Sequence, residues 1–216
     1  MLVSQVPGLT PAILKYIDIG KKDFPYQGTD IDLPHLAATL LAHIQFTPFP
    51  DFWTGWGGDL ATLMHDIIRI REEGSTDSIQ KISDRLIGGD SKFSRVDILA
   101  DIDAVGIANR ILSENKTDNF LEVFKNYFQT VTPTSRRKVI LKDITGSETI
   151  LTSQDLSKKI EEKMVGSEGF DYAWGTIGYA LLLKARYSTE TKEIYPNSEV
   201  ISAACNSFAN YILTKL

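Results

Sequence analysis

Within one short span the chain places Asp32, His35, Asp59, His65 and Asp66, and a second acidic group follows at Asp97, Asp101 and Asp103. Carboxylates and imidazoles are the side chains that exchange protons in general acid–base catalysis, and carboxylates are the usual ligands of hard cations. Asp32 and His35 are spaced i, i+3, which puts them on one side of a helix at its start. His35 follows Pro34 in that first turn, where the positive end of the helix dipole disfavours an imidazolium. A neutral imidazole oriented by Asp32 is therefore expected, suited to a general base or a metal ligand. The plainer alternative makes Asp32 an N-cap and His35 its satisfied neighbour.

The stretch "GWGGDLATLMHD" opens the next helix. Asp59 is placed to cap it after two glycines. Gly57 and Gly58 also allow a close approach of backbone to a ligand, and free N–H groups at a helix start favour an anion. Asp59 and Asp66, at i, i+7, share a face and can supply two ligands to a hard cation. In "DILADIDAVGIAN", Asp97 and Asp101 stack at i, i+4 and Asp103 points elsewhere. That helix is apolar at Ile98, Leu99, Ile102, Val105 and Ile111, so Asp101 or Asp103 must border the core. A buried carboxylate needs a partner, either a cation or an arginine such as Arg95 or Arg110.

These side chains need helices to position them, and helical period dominates the chain. Thr10-Pro11 opens "AILKYIDIGKK", Asp32 caps "LPHLAATLLAHI", and "DLATLMHDIIRIREE" runs to Gly74. Further helices are expected over "STDSIQKISDRLI", "SRVDILADIDAVGIANRILSEN", "DNFLEVFKNYFQTV", "TSRRKVILKDI" and "SQDLSKKIEEKM". The apolar "FDYAWGTIGYALLLKARY" is expected as a central helix, and "SEVISAACNSFANYILTKL" closes the chain. "TGSETIL" reads as a short strand or a loop, and no strand alternation is long enough for a sheet. About nine helices with short connections predict a single all-α domain over residues 1–216. Gly106, Gly175 and Gly178 lie inside helical patterns at about 1 kcal/mol each, which points to close helix crossings.

Composition narrows the function. The 216 residues carry a net charge of −5, against the basic face of a nucleic-acid binder. The short run Arg136-Arg137-Lys138 is expected to be a solvated face. One cysteine, Cys205, excludes an intrachain disulfide and reads as a small buried hydrophobe. No apolar stretch reaches the ~20 residues of a membrane span, and the N-terminus has no Sec-type pattern. A specialised export route is the expectation if the protein acts outside the cell. His35 and His43 are two turns apart, no closer than ~10 Å, which favours calcium or magnesium on oxygen ligands over a three-histidine zinc site.

Together "IDLPHLAATL", "WGGDLATLMHD" and "DILADIDAVGIA" resemble the toxin domain of bacterial polymorphic toxins, over roughly residues 30–109. Among these, the resemblance is to lipid II phosphatase toxins of the LXG class, delivered by type VII secretion. It implies a calcium-associated, aspartate-dependent phosphatase of lipid-linked cell-wall precursor, with an immunity protein as partner. Asp59, Asp101 and Asp103 are the positions carried over as acids. The long helical targeting domain of that class is missing from this sequence. Joined to the residue pattern, this gives a metal-assisted hydrolase with catalytic Asp32, His35, Asp59 and Asp101 and metal ligands Asp59, Asp66, Asp101 and Asp103. The aromatic loop with Phe52, Trp53 and Trp56 would meet lipid or sugar, or anchor into the core. The alternatives are a peptidoglycan hydrolase with paired carboxylates, and a helical interaction module in which every acid is a cap or an ion-pair partner.

Overall fold

The computed structural model describes residues 32–46, 55–89, 93–114, 120–165 and 196–216. The expected helix after Thr10-Pro11, the loop with Phe52 and Trp53, and the apolar segment 170–187 with Gly175 and Gly178 lie outside them. The fold is all-α. Eight helices occupy the described residues: α1 Leu33–Phe46, α2 Trp56–Glu72, α3 Ile79–Leu86, α4 Arg95–Glu114, α5 Phe120–Thr130, α6 Pro133–Thr145, α7 Ser153–Met164 and α8 Ser198–Lys215. Among the described residues there is no strand, and residues 148–152 connect α6 to α7 without regular structure.

Capping explains most boundaries. Asp32 Oδ1 accepts the His35 backbone N–H at 2.9 Å and starts α1. Ser78, Thr152 and Asn197 accept from the third residue beyond them and start α3, α7 and α8. Thr132 and Ser135 form a reciprocal capping box around Pro133 at the start of α6. The start of α2 departs from expectation. The helix begins at Trp56, with Gly55 in the cap position at φ 75° and no side-chain cap bond. Asp59 is thus inside the first turn, and its N–H already donates to the Gly55 carbonyl at 3.1 Å.

Every residue of α4 from Ile98 to Ala108 is buried, which makes it the axis of the described structure. Its Ile98, Leu99 and Ile102 join a large apolar cluster with α2, α3, α6, α7 and α8, including Leu60, Ile140, Leu156 and Phe208. Its Ala100, Ala104, Ile107 and Ile111 join a smaller cluster with Leu36 and Leu40 of α1 and Tyr127 and Phe128 of α5. Fully buried leucines such as Leu40 and Leu60 each contribute about 1.5–3 kcal/mol. Gly106 is where α5 crosses: a Cβ there would lie 2.6 Å from the Tyr127 ring. Cys205 is wholly buried, and burial pushes its thiol pKa up, so it is inert packing.

Candidate metal centre

Three helices bring their acids and imidazole to one point. His35 comes from the first turn of α1, Asp59 from the first turn of α2 and Asp101 from the middle of α4. His35 Nε2 lies 2.9 Å from Asp101 Oδ1 and 3.2 Å from Asp59 Oδ2. One ligand atom from each of the three residues lies within 4.8 Å of the other two, and no other such group occurs among the described residues. The side chains of His35 and Asp59 are 27% and 19% exposed and that of Asp101 is 0% exposed, so the cluster is a well with Asp101 at its floor.

The hydrogen bonds around this floor are unequal. Asp101 Oδ1 accepts from His35 Nε2 and from the Thr39 hydroxyl, both at 2.9 Å. Asp101 Oδ2 and Asp59 Oδ2 are buried and accept no hydrogen bond. The Nε2–H aims at Asp101, which leaves the 3.2 Å approach to Asp59 as a charge contact alone. A buried acceptor without a donor costs about 1–3 kcal/mol, and a charged one costs more.

Thr39 is one turn beyond His35 on the same face of α1, so α1 supplies both donors to Asp101. Gly55 closes the other side. A Cβ on it would lie 2.5 Å from Thr39 Cγ2 and 2.7 Å from Asp101 Oδ1, so glycine is required for packing as well as for its positive φ. Gly58, by contrast, faces open space.

Protonation follows from this geometry. Burial works against a charged His35, but the contacts with Asp101 and Asp59 win and its pKa is pushed up to about 11. Burial, reinforced by Asp59, pushes Asp101 up to about 7 against the pull of His35 and Thr39. The expectation of a neutral His35 is thereby corrected for the cation-free cluster. A helix dipole contributes roughly 0.3–1 kcal/mol, too little to oppose two adjacent carboxylates. The expected orientation by Asp32 is corrected too: that carboxylate holds the His35 backbone, and Asp101 holds the ring.

The remaining acids lie apart from the well. Asp66, half-buried on α2, faces Arg69 at 3.9 Å and His65 at 3.8 Å. Asp97 accepts the Ser94 hydroxyl at 2.6 Å and backbone N–H at 3.1 Å, as part of the start of α4. Asp103 points away from Asp101 and accepts two parallel bonds of 2.8 Å from Arg136 and one of 2.8 Å from the Tyr127 hydroxyl. Its arginine is therefore neither Arg95 nor Arg110. Arg136 itself is buried rather than part of a solvated face, because it heads the stripe that Ile140 and Ile144 continue on α6. His43 is half-buried; burial pulls its pKa down against the nearby charge of Asp143.

Thr39 and Gly55 were not among the expected site residues. The signal for Thr39 was available in its i, i+4 spacing from His35. Gly55 had none, because only the meeting of α2 with α1 and α4 makes it necessary.

The family model for YkzU, an uncharacterised protein, matches residues 37–216. The chain belongs to that family. The match takes in Thr39, Asp59 and Asp101 and begins two residues after His35. No curated protein and no solved structure matches the chain. No helix of the described residues is long and apolar enough to cross a membrane.

Proposed function

We propose that His35, Asp59 and Asp101 bind one divalent cation and that the chain is a metal-assisted hydrolase. The observation that carries this reading is the pair of buried carboxylate oxygens, on Asp59 and Asp101, that accept no well-aligned hydrogen bond. A single imidazole proton serves one oxygen. A cation serves all three residues at once and relieves the charge that burial makes costly. The ligand atoms, all within 4.8 Å of one another, suit a shared centre. An imidazole beside two carboxylates fits manganese or zinc better than the calcium or magnesium expected for an all-oxygen set.

Bound there, the cation would lower the pKa of a water molecule and neutralise developing negative charge on a phosphoryl or acyl oxygen. The protein's part is to hold the ligands. Asp32 fixes the turn that carries His35, Thr39 orients Asp101, and Gly55 lets α2 approach. The exposed edges of His35 and Asp59 leave one side of the well open to substrate. The resemblance over residues 30–109 supplies the substrate class: a lipid-linked, pyrophosphate-bearing cell-wall precursor, cleaved by an exported antibacterial protein with an immunity partner. The paired-carboxylate glycosidase is less well supported, because Asp59 and Asp101 touch the same imidazole nitrogen. Such pairs flank a glycosidic bond at about 5–9.5 Å.

Calorimetric titration with manganese, zinc, calcium and magnesium tests the centre, and phosphate release from a polyprenyl pyrophosphate tests the reaction. Saturable binding of one ion, abolished in Asp59→Asn, is expected with release that depends on that ion. Absence of binding by all four would overturn the cation reading. Binding without release would leave the centre and remove the substrate.

A further inference from the structure

A second polar group is centred on Trp56, which anchors into the core rather than being placed to meet lipid or sugar. The Trp56 indole N–H donates to Asp143 Oδ2 at 2.8 Å. Asp143 sits in the last turns of α6. Lys163, in the last turn of α7, donates to the Asp143 carbonyl, lies 4.0 Å from its carboxylate and stands 6.0 Å from the Trp56 ring centroid. The ring is 3% exposed and packs against Phe208 of α8, with centroids 5.5 Å apart.

Trp56 is the first residue of α2, between Gly55, where an added Cβ would strike Thr39 and Asp101, and Asp59 one turn later. The start of α2 has no side-chain cap bond. Gly55 leaves the backbone its widest choice of dihedrals there. Local sequence thus fixes neither the point where α2 begins nor its rotation about its own axis. The indole does, because its hydrogen bond is directional and its ring is packed. A helix residue advances by 1.5 Å and about 100°, so a small rotation of the first turn swings the Asp59 carboxylate away from His35.

We infer that Asp143, acting through the Trp56 indole, is a positioning residue that sets the Asp59 carboxylate against His35 and Asp101. The inference rests on the cation reading of that cluster for its first readout and on the imidazole alone for its second. The hydrogen bond needs an acceptor on Asp143, and Asn keeps one.

Manganese binding by calorimetry to the full chain is the first test. Trp56→Phe and Asp143→Leu should each weaken binding by at least about tenfold, the usual size of an outer-shell loss. Asp143→Asn should bind close to wild type, and the Trp56→Phe/Asp143→Leu pair should bind no more weakly than the worse single variant. Tyr127→Phe, which removes a buried hydrogen bond on the far side of α4, should melt lower and bind as wild type. Wild-type affinity in Trp56→Phe, which keeps the aromatic volume, or fully additive losses in the pair, would overturn the inference. If the wild type binds none of the four cations, the cation reading falls, and the 15N shifts of the His35 ring decide the positioning separately. They should move in Trp56→Phe and not in Tyr127→Phe; unmoved shifts would overturn it.

Discussion

Asp101 and Asp103 are two residues apart on the same helix, and both are 0% exposed. They face opposite neighbours. Asp103 meets the Arg136 guanidinium in a two-bond fork and the Tyr127 hydroxyl, so both of its oxygens are served. Asp101 meets an imidazole and a threonine on one oxygen and nothing on the other. Both carboxylates are fully buried, and the difference is completeness. Where the protein supplies every partner, the carboxylate holds helices together. Where it withholds one, a buried oxygen is left that the proposed cation would serve.

That contrast is sharpest in like-for-like substitutions. Asp103→Asn removes the anion opposite a buried guanidinium and should lower unfolding free energy by about 3–5 kcal/mol in urea denaturation. Asp101→Asn keeps an oxygen that can accept from His35 and Thr39 and should cost less than Asp103→Asn without added cation. It should instead weaken cation binding by about a hundredfold, close to 2.7 kcal/mol. Equal stability losses in the two variants would erase the distinction.

The pH dependence of the cation-free protein follows from the same cluster. His35 is raised from 6.5 to about 11, so its contribution is complete below pH 6.5 and is lost as pH rises through 11. Asp101 is raised from 3.8 to about 7, so its contribution is complete below pH 3.8 and is lost as pH rises through 7. Both groups bind protons more tightly in the folded state. This cluster therefore makes the protein less stable at pH 9 than at pH 5. Saturating manganese should offset that decline, because cation and protons compete for the same ligands. Denaturation midpoints at the two pH values, with and without manganese, measure it; a rise toward pH 9 without manganese would count against the assignment.

The glycines supply the smallest contrast. Gly55→Ala meets both a positive φ and a 2.7 Å approach to Asp101, and should cost roughly 1–3 kcal/mol together with cation affinity. Gly58→Ala faces open space within the helix and should stabilise by about 0.5–1 kcal/mol, with binding unchanged. Thermal melts and titrations of the pair would show whether the close face of α2 is the one that matters.

Much of this is legible in the amino-acid sequence. Cap residues such as Asp32 and Thr132 mark helix starts because they satisfy local N–H groups, and local rules suffice for that. His35, Asp59 and Asp101 stood out by type and position. Their selection over Asp66 and Asp103 was not legible, since it depends on which faces of α1, α2 and α4 meet. The buried role of Arg136 was readable in principle, from its i, i+4, i+8 spacing with Ile140 and Ile144. The charge run Arg136-Arg137-Lys138 masked that periodicity. The start of α2 escaped for the opposite reason: an aspartate after two glycines imitates a cap, while the helix begins three residues earlier at Trp56, whose indole is held by the distant Asp143.

Among the described helices α1 packs principally along α4. Its polar contacts with α4 include the bonds from His35 and Thr39 to Asp101. An ion held by residues of α1, α2 and α4 would act as a rivet across that joint, with a strength set by its free concentration as RT ln(1 + [L]/Kd). Detachment of α1 would then be a local opening whose frequency reports the ion. Amide exchange over residues 36–43 should slow as manganese is added, while exchange in α7 and α8 stays as it was.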